Sequence, residues 1–139
     1  MRQELGELTV ATGGRSLVEV TDDVARWLGE RRARRGLVTL LVRHTSASLL
    51  IQENADPEVQ RDLERFFARL VRDGDPLFVH TAEGPDDMPS HVRAALTQTS
   101  LSIPVDGGAM RLGTWQGIYL YEHRRAEHDR RIALHYVGD

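Results

Sequence analysis

The sequence contains no cysteine and no lysine. Without cysteine there is no disulfide framework, no thiolate zinc site and no cysteine nucleophile, so His, Asp and Glu are the metal ligands that remain. Without lysine, Schiff-base and lysine-base mechanisms fall away. All 18 basic residues are arginine, which a biased genome composition explains most simply; a surface suited to bidentate anion contacts is the alternative. Aromatic residues make up only 6%, a poor supply for a base-stacking platform. The net charge of −3 excludes a phosphate-backbone binder that works by bulk positive charge, so no nucleic-acid partner is expected. No apolar run approaches the roughly 20 residues of a membrane span. Residues 1–7 carry acids where a signal peptide has its apolar core, and the chain is expected to be cytoplasmic, with no membrane partner. At 139 residues, with 40% hydrophobic and 28% charged positions, it reads as one soluble domain spanning 1–139.

Periodicity supplies the elements. Leu8 and Val10 alternate with polar neighbours, residues 12–15 carry turn chemistry, and residues 17–20 resume a strand. Thr21 is an N-cap candidate ahead of Asp22 and Asp23, with Val24, Trp27 and Leu28 at helical spacing and Gly36 as the stop. The arginine-rich run 31–35 reads as the solvated end of that helix. Leu37 to Val42 predicts a strand buried on both faces, and Leu49 to Ile51 another. Asp56-Pro57 opens a second helix with Val59, Leu63, Phe66, Phe67 and Leu70 on its apolar face. Leu77 to Val79 reads as a short extended segment. Pro89-Ser90 opens a third helix with Val92, Ala95 and Leu96 inward. The remainder is β: 100–105, a Gly107-Gly108 turn, 110–112, 115–123 and 131–137. Strands interrupted by about three helices, with a long β tail, define an α+β fold.

Polar chemistry concentrates between His80 and His91, where two imidazoles and the carboxylates Glu83, Asp86 and Asp87 fall within twelve residues bent by Gly84, Pro85 and Pro89. Such a loop brings distant side chains to one point, as a metal centre requires. His44, where a buried strand ends, is the expected third imidazole. Its neighbours Thr45 and Ser46 offer hydroxyls, and a Ser46–His44 nucleophile pair is a weaker alternative with no third member. The competing reading is structural: His80 at a strand end, His91 at a helix start, the acids solvated. His123 is ambiguous, His128 reads as exposed in the charged hairpin 124–131, and His135 as a sheet-face residue. Gly113 and Gly117 flank Thr114-Trp115-Gln116, so a bulge there can aim Gln116 or Thr114 at a partner, Gln116 to bind or orient a polar group, the alternative for Trp115 being a buried residue at a bent strand. No GxSxG, Walker or GxGxxG pattern is present.

His44-Thr45-Ser46-Ala47-Ser48, Asn54-Ala55-Asp56-Pro57, residues 83–91 and Gly113-Thr114-Trp115-Gln116-Gly117-Ile118 occur in this order, followed by Glu122-His123-Arg124. Together they resemble the YjbQ-like family of small uncharacterised proteins, whose members are called secondary thiamine-phosphate synthases. The resemblance covers about residues 4–138. It implies a compact fold with a bent, mixed or antiparallel, sandwich-like sheet, and a homotrimer with sites near subunit interfaces. It also implies a metal or anion site in which His44, His80 and His91 match the family's histidines. Glu83 and Asp87 match its acidic positions, and Gln116 its glutamine; these three are the catalytic candidates.

Three imidazoles suit a divalent transition ion, zinc first, better than magnesium. Thiamine-phosphate synthesis expels pyrophosphate and needs cationic donors, which Arg43, Arg93, Arg111 and Arg124 are placed to supply. The expectation is therefore a metal-site enzyme acting on a small phosphorylated or heterocyclic molecule. The alternatives are a non-catalytic trimer that sequesters a small anion or metabolite, and a metal-dependent hydrolase. A free carboxylate at Glu83 or Asp87 favours an enzyme; both tied up in salt bridges favours binding.

Overall fold

Strand alternation sorts the apolar side chains to one side of each sheet, and the two sheets close on each other over them. A computed structural model describes all residues, 1–139. Its elements, in order, are β1 (Arg2–Thr12), β2 (Ser16–Glu19), α1 (Thr21–Glu30), β3 (Gly36–Val42), β4 (Ala47–Glu53), α2 (Pro57–Leu70), α3 (Asp87–Leu96), β5 (Ser100–Asp106), β6 (Ala109–Met110), β7 (Gln116–Glu122) and β8 (His128–Gly138). One sheet has the order β1-β8-β3-β5-β6 and the other β2-β7-β4. Every pairing is antiparallel. The α+β expectation holds, and the sheet pairing is antiparallel throughout, not mixed.

Inward positions of β3, β5 and β8 (Val38, Leu40, Leu101, Ile103, Ile132 and Leu134) join Leu49, Ile118 and Leu120 of the smaller sheet and Val24, Trp27 and Leu28 of α1 in one continuous core. Trp27 reaches this position because β1 presents Gly6 beneath it: a Cβ there would lie 2.2 Å from the indole Nε1. No helix is long and apolar enough to cross a membrane.

Several local readings differ from the structure. β3 is buried on one face only, since Leu37 and Leu41 point outward and are exposed. Thr21 lies inside α1, and its Oγ1 donates to Glu19 and accepts the Ile118 N–H, so it ties the helix to β7 instead of capping it. α1 ends before the arginine run, where Arg32 turns the chain at φ 51°. Residues 77–79 form no strand because no neighbour pairs with them. α3 begins at Asp87, two residues before Pro89, and buries Pro89, Ser90, Arg93 and Ala94 while Ala95 and Leu96 face out.

The smaller sheet sets the distances that matter for chemistry. β4 and β7 pair from Ala47↔Glu122 at one end to Glu53↔Gln116 at the other. Those ends are six residue steps apart along each strand, about 20 Å at the usual rise per residue.

Candidate metal centre

α3 brings Asp87 and His91 onto one face, four residues apart, where side chains of a helix meet. The loop before α3 folds back through Gly84, at φ 103°, and carries His80 to the same place. Asp87 Oδ2 lies 2.8 Å from His80 Nε2 and 3.1 Å from His91 Nε2. One donor atom from each of the three residues falls within 4.8 Å of the other two. The histidines are partly open, with side-chain exposures of 50% and 30%, while Asp87 is at 3%.

Two of the three members are held from outside. Arg124, just beyond β7, donates through Nη1 to Asp87 Oδ1 at 2.8 Å, through Nε to Asp86 Oδ2 at 3.0 Å and through Nη2 to the Glu83 carbonyl at 3.0 Å. One carboxylate oxygen of Asp87 is therefore committed to Arg124 and the other is turned to the histidines. His91 Nδ1 donates to the Thr45 carbonyl at 2.8 Å, which leaves Nε2 as the nitrogen turned to Asp87 and the one available to an ion. Ser90 Oγ, 2.7 Å from the His123 carbonyl, anchors α3 to the end of β7. Burial pushes the Asp87 carboxyl up, but the His80 hydrogen bond and the charges of His91 and Arg124 outweigh it and hold Asp87 below the usual carboxylate range. Two imidazole nitrogens and an ionised carboxylate oxygen are a donor set for zinc or a similar transition ion.

His44 is not in this cluster. Its Nε2 accepts the backbone N–H of Arg131 at 2.8 Å. Asp87 stands where sequence reasoning put a third imidazole. Ser46 is no nucleophile partner for His44 either: its Oγ accepts from Arg130, at 3.0 Å, in a buried cluster with Glu122. Gln116 lies at the far end of β7, its Oε1 accepting the Gly113 N–H, and Trp115 beside it is 63% exposed. In one chain Gln116 cannot reach the centre. Glu83 is exposed, and its carboxylate has neither an ion pair nor a hydrogen bond. Among the arginines expected to meet a phosphate, Arg124 is committed as described, Arg93 is fully buried against Glu64, and Arg43 pairs with Glu7, while Arg111 is exposed just after β6, its N–H donating to the Pro104 carbonyl of β5, and is in no ion pair. The signal that would have found Asp87 is its i, i+4 spacing from His91, hidden by placing the helix start at Pro89.

A cleft of about 330 Å³ borders His80, lined in part by Pro76, Phe78, Pro85, Met88 and Pro89. A larger opening of about 620 Å³ at Arg34, Arg35, Asp106 and Asp139 contains no imidazole and none of the donors, so the smaller cleft is the one with chemistry beside it.

Two antiparallel sheets, three helices and a donor cluster on a loop and helix start define a class of small α+β proteins. The chain belongs to the family described as UPF0047 protein YjbQ-like, which it matches over residues 6–139. It is 47% identical to UPF0047 protein sll1880 of Synechocystis sp. over 99% of this chain and 94% of the relative. It is 45% identical to UPF0047 protein YjbQ of Escherichia coli O157:H7 over 95% and 96% of the respective chains. Among solved structures, a hypothetical protein of Aeropyrum pernix K1 superposes with a TM-score of 0.89 at 31% identity, covering 98% of this chain and 99% of that one. An uncharacterised conserved protein of the yjbq/upf0047 family from Clostridium acetobutylicum gives a TM-score of 0.85 at 30% identity, with 94% and 98% covered.

Proposed function

We propose that the chain is a single-metal enzyme in which His80, Asp87 and His91 hold a divalent transition ion, zinc first, and a small molecule enters the cleft beside His80. The observation that carries the reading is the placement of one carboxylate oxygen, Asp87 Oδ2, within hydrogen-bond distance of two imidazole nitrogens. Three protein ligands leave a coordination position open, and a zinc ion so bound supplies Lewis acidity there. Asp87 and His91 keep their orientation through Arg124 and the Thr45 carbonyl, and Asp87 is already ionised. Glu83, unpaired and on the same loop, takes the role of proton acceptor. Its freedom favours an enzyme over a sequestering module. Phe78, Met88 and the prolines of the cleft exclude water from the apolar part of a ligand.

The family resemblance carries thiamine-phosphate synthesis as a label. Because Arg93 and Arg124 are committed to carboxylates, no free guanidinium supports an expelled pyrophosphate at this centre, and hydrolysis is the reaction class the residues suit better. The assembly we propose, as the resemblance implies, is a homotrimer, in which the outward Leu5, Leu37 and Leu41 gain cover.

The test is elemental analysis of protein purified without chelators, with growth of a strain lacking its own thiamine-phosphate synthase on thiamine-free medium. We expect about one transition ion per chain, lost in His91→Ala, and no rescue of growth. Rescue by wild type but not by His91→Ala would establish the synthase reaction instead. Metal content unchanged in His91→Ala would overturn the site.

A further inference from the structure

We propose that His44 is a positioning residue: by accepting the Arg131 N–H it fixes the Thr45 carbonyl, and so the ring of His91. The inference rests on the metal-site reading above. The segment from Arg43 to Ser46 joins β3 to β4 and is irregular, so its carbonyls point where local contacts hold them. It is clamped at two places. On one side Arg43 N donates to the Arg131 carbonyl at 3.0 Å and His44 Nε2 accepts the Arg131 N–H at 2.8 Å, which makes a closed pair of bonds to the same residue of β8. On the other, the Ser46 carbonyl accepts the His123 N–H at 3.2 Å, with Arg130 Nη2 at 3.3 Å. Between the clamps stands the Thr45 carbonyl, 2.8 Å from His91 Nδ1.

The bond to Arg131 needs a lone pair on His44 Nε2, which a protonated ring lacks. Burial first, then the charge of Arg130, holds His44 below the ordinary histidine range, so the lone pair is available at neutral pH. Removing the imidazole leaves the Arg131 N–H without its acceptor, and Arg43 N alone then ties the segment to Arg131. Thr45 O then loses its fixed direction, and His91 can rotate or exchange its tautomer. Partners of this kind, which orient a ligand without touching the ion, change metal affinity by about 10–100-fold. The chemistry separates this role from direct ligation, because a glutamine Oε1 accepts a backbone N–H but is a poor zinc ligand.

The experiment combines a zinc competition titration with NMR of ¹⁵N-labelled, metal-free protein, on wild type, His44→Ala and His44→Gln, with thermal unfolding as the check on folding. In wild type a scalar coupling should connect Arg131 N to His44 Nε2, and His91 Nδ1–H should give a slowly exchanging signal. His44→Ala should lose that His91 signal and bind zinc about 10–100-fold more weakly; His44→Gln should keep the signal and stay within about 3-fold of wild type. Equal weakening in both variants with the His91 signal intact would make His44 a ligand and overturn the proposal, as would unchanged affinity in His44→Ala. Absence of the Arg131–His44 coupling in wild type would overturn it without any variant. Wild type that binds no zinc while the His91 signal still depends on His44 would remove the metal reading and leave the positioning role standing.

Discussion

His123 shows how burial can dominate a residue's chemistry. Its ring is fully buried, with its centroid 4.4 Å from that of Tyr121 and its Nε2 2.8 Å from Ser48 Oγ. Burial first, then the charge of Arg93, holds its pKa down to about 3. An unfolded chain protonates the same ring near about pH 6.5. Above that value neither state binds the proton and the contribution to stability is complete. Below it the unfolded state takes up a proton that the folded state refuses, so stability falls as pH drops from about 6.5 towards 3, by up to about 1.4 kcal/mol per pH unit. His44, also held low, acts in the same direction, and the depressed carboxylates Asp86 and Glu122 lose their contribution only below the ordinary carboxylate range. Urea midpoints measured between pH 7 and 5 should therefore decline less steeply in His123→Gln than in wild type; equal slopes would contradict the assignment. In the sequence His123 was ambiguous, because its burial depends on α3 packing over the end of β7. His135 was legible, since period-two alternation fixes its face without reference to anything distant.

Among the elements, the start of α2 was the most legible, although its apolar face is not a buried one: no residue of α2 is buried, and Phe66 and Leu70 are exposed. Asp56 precedes Pro57, and its carboxylate accepts the Glu58 N–H at 2.9 Å, as the dipeptide predicts. Asp56→Ala should cost about 1 kcal/mol, read as a lower thermal midpoint with the fold unchanged; an unaltered midpoint would mean the cap contributes nothing. α3 was misplaced at its start for a physical reason. Proline is tolerated anywhere in a first turn, where its missing N–H has no partner to lose, so Pro89 marks the turn and not its first residue. The two residues gained, Asp87 and Met88, convert an acid read as loop into one a helical turn from His91. β3 was misjudged differently. A run of aliphatic residues predicts two buried faces, but only the face toward α1 and the smaller sheet is covered.

For the whole molecule, topology decides which motifs can act together. Residues 43–46, 80–91 and 122–124 meet at one end of the smaller sheet, while the Asn54 and Gln116 motifs sit at the other, joined by the Asn54 N–H to the Trp115 carbonyl at 3.0 Å. The sequence lists both sets as polar signals of equal weight, and only strand register separates them by about 20 Å. His44 is the instructive case: it lies at the correct end, yet its ring is engaged by a backbone amide 87 residues away, which no local pattern reveals. The proposed ion therefore meets two imidazoles and a carboxylate. Zinc K-edge X-ray absorption of the protein loaded with one equivalent of zinc tests this most directly. The account predicts scattering from two imidazoles, at about 2.0–2.1 Å from metal to nitrogen, with the remaining ligands oxygen. A spectrum requiring three imidazoles, or one unchanged by Asp87→Ala, would contradict it.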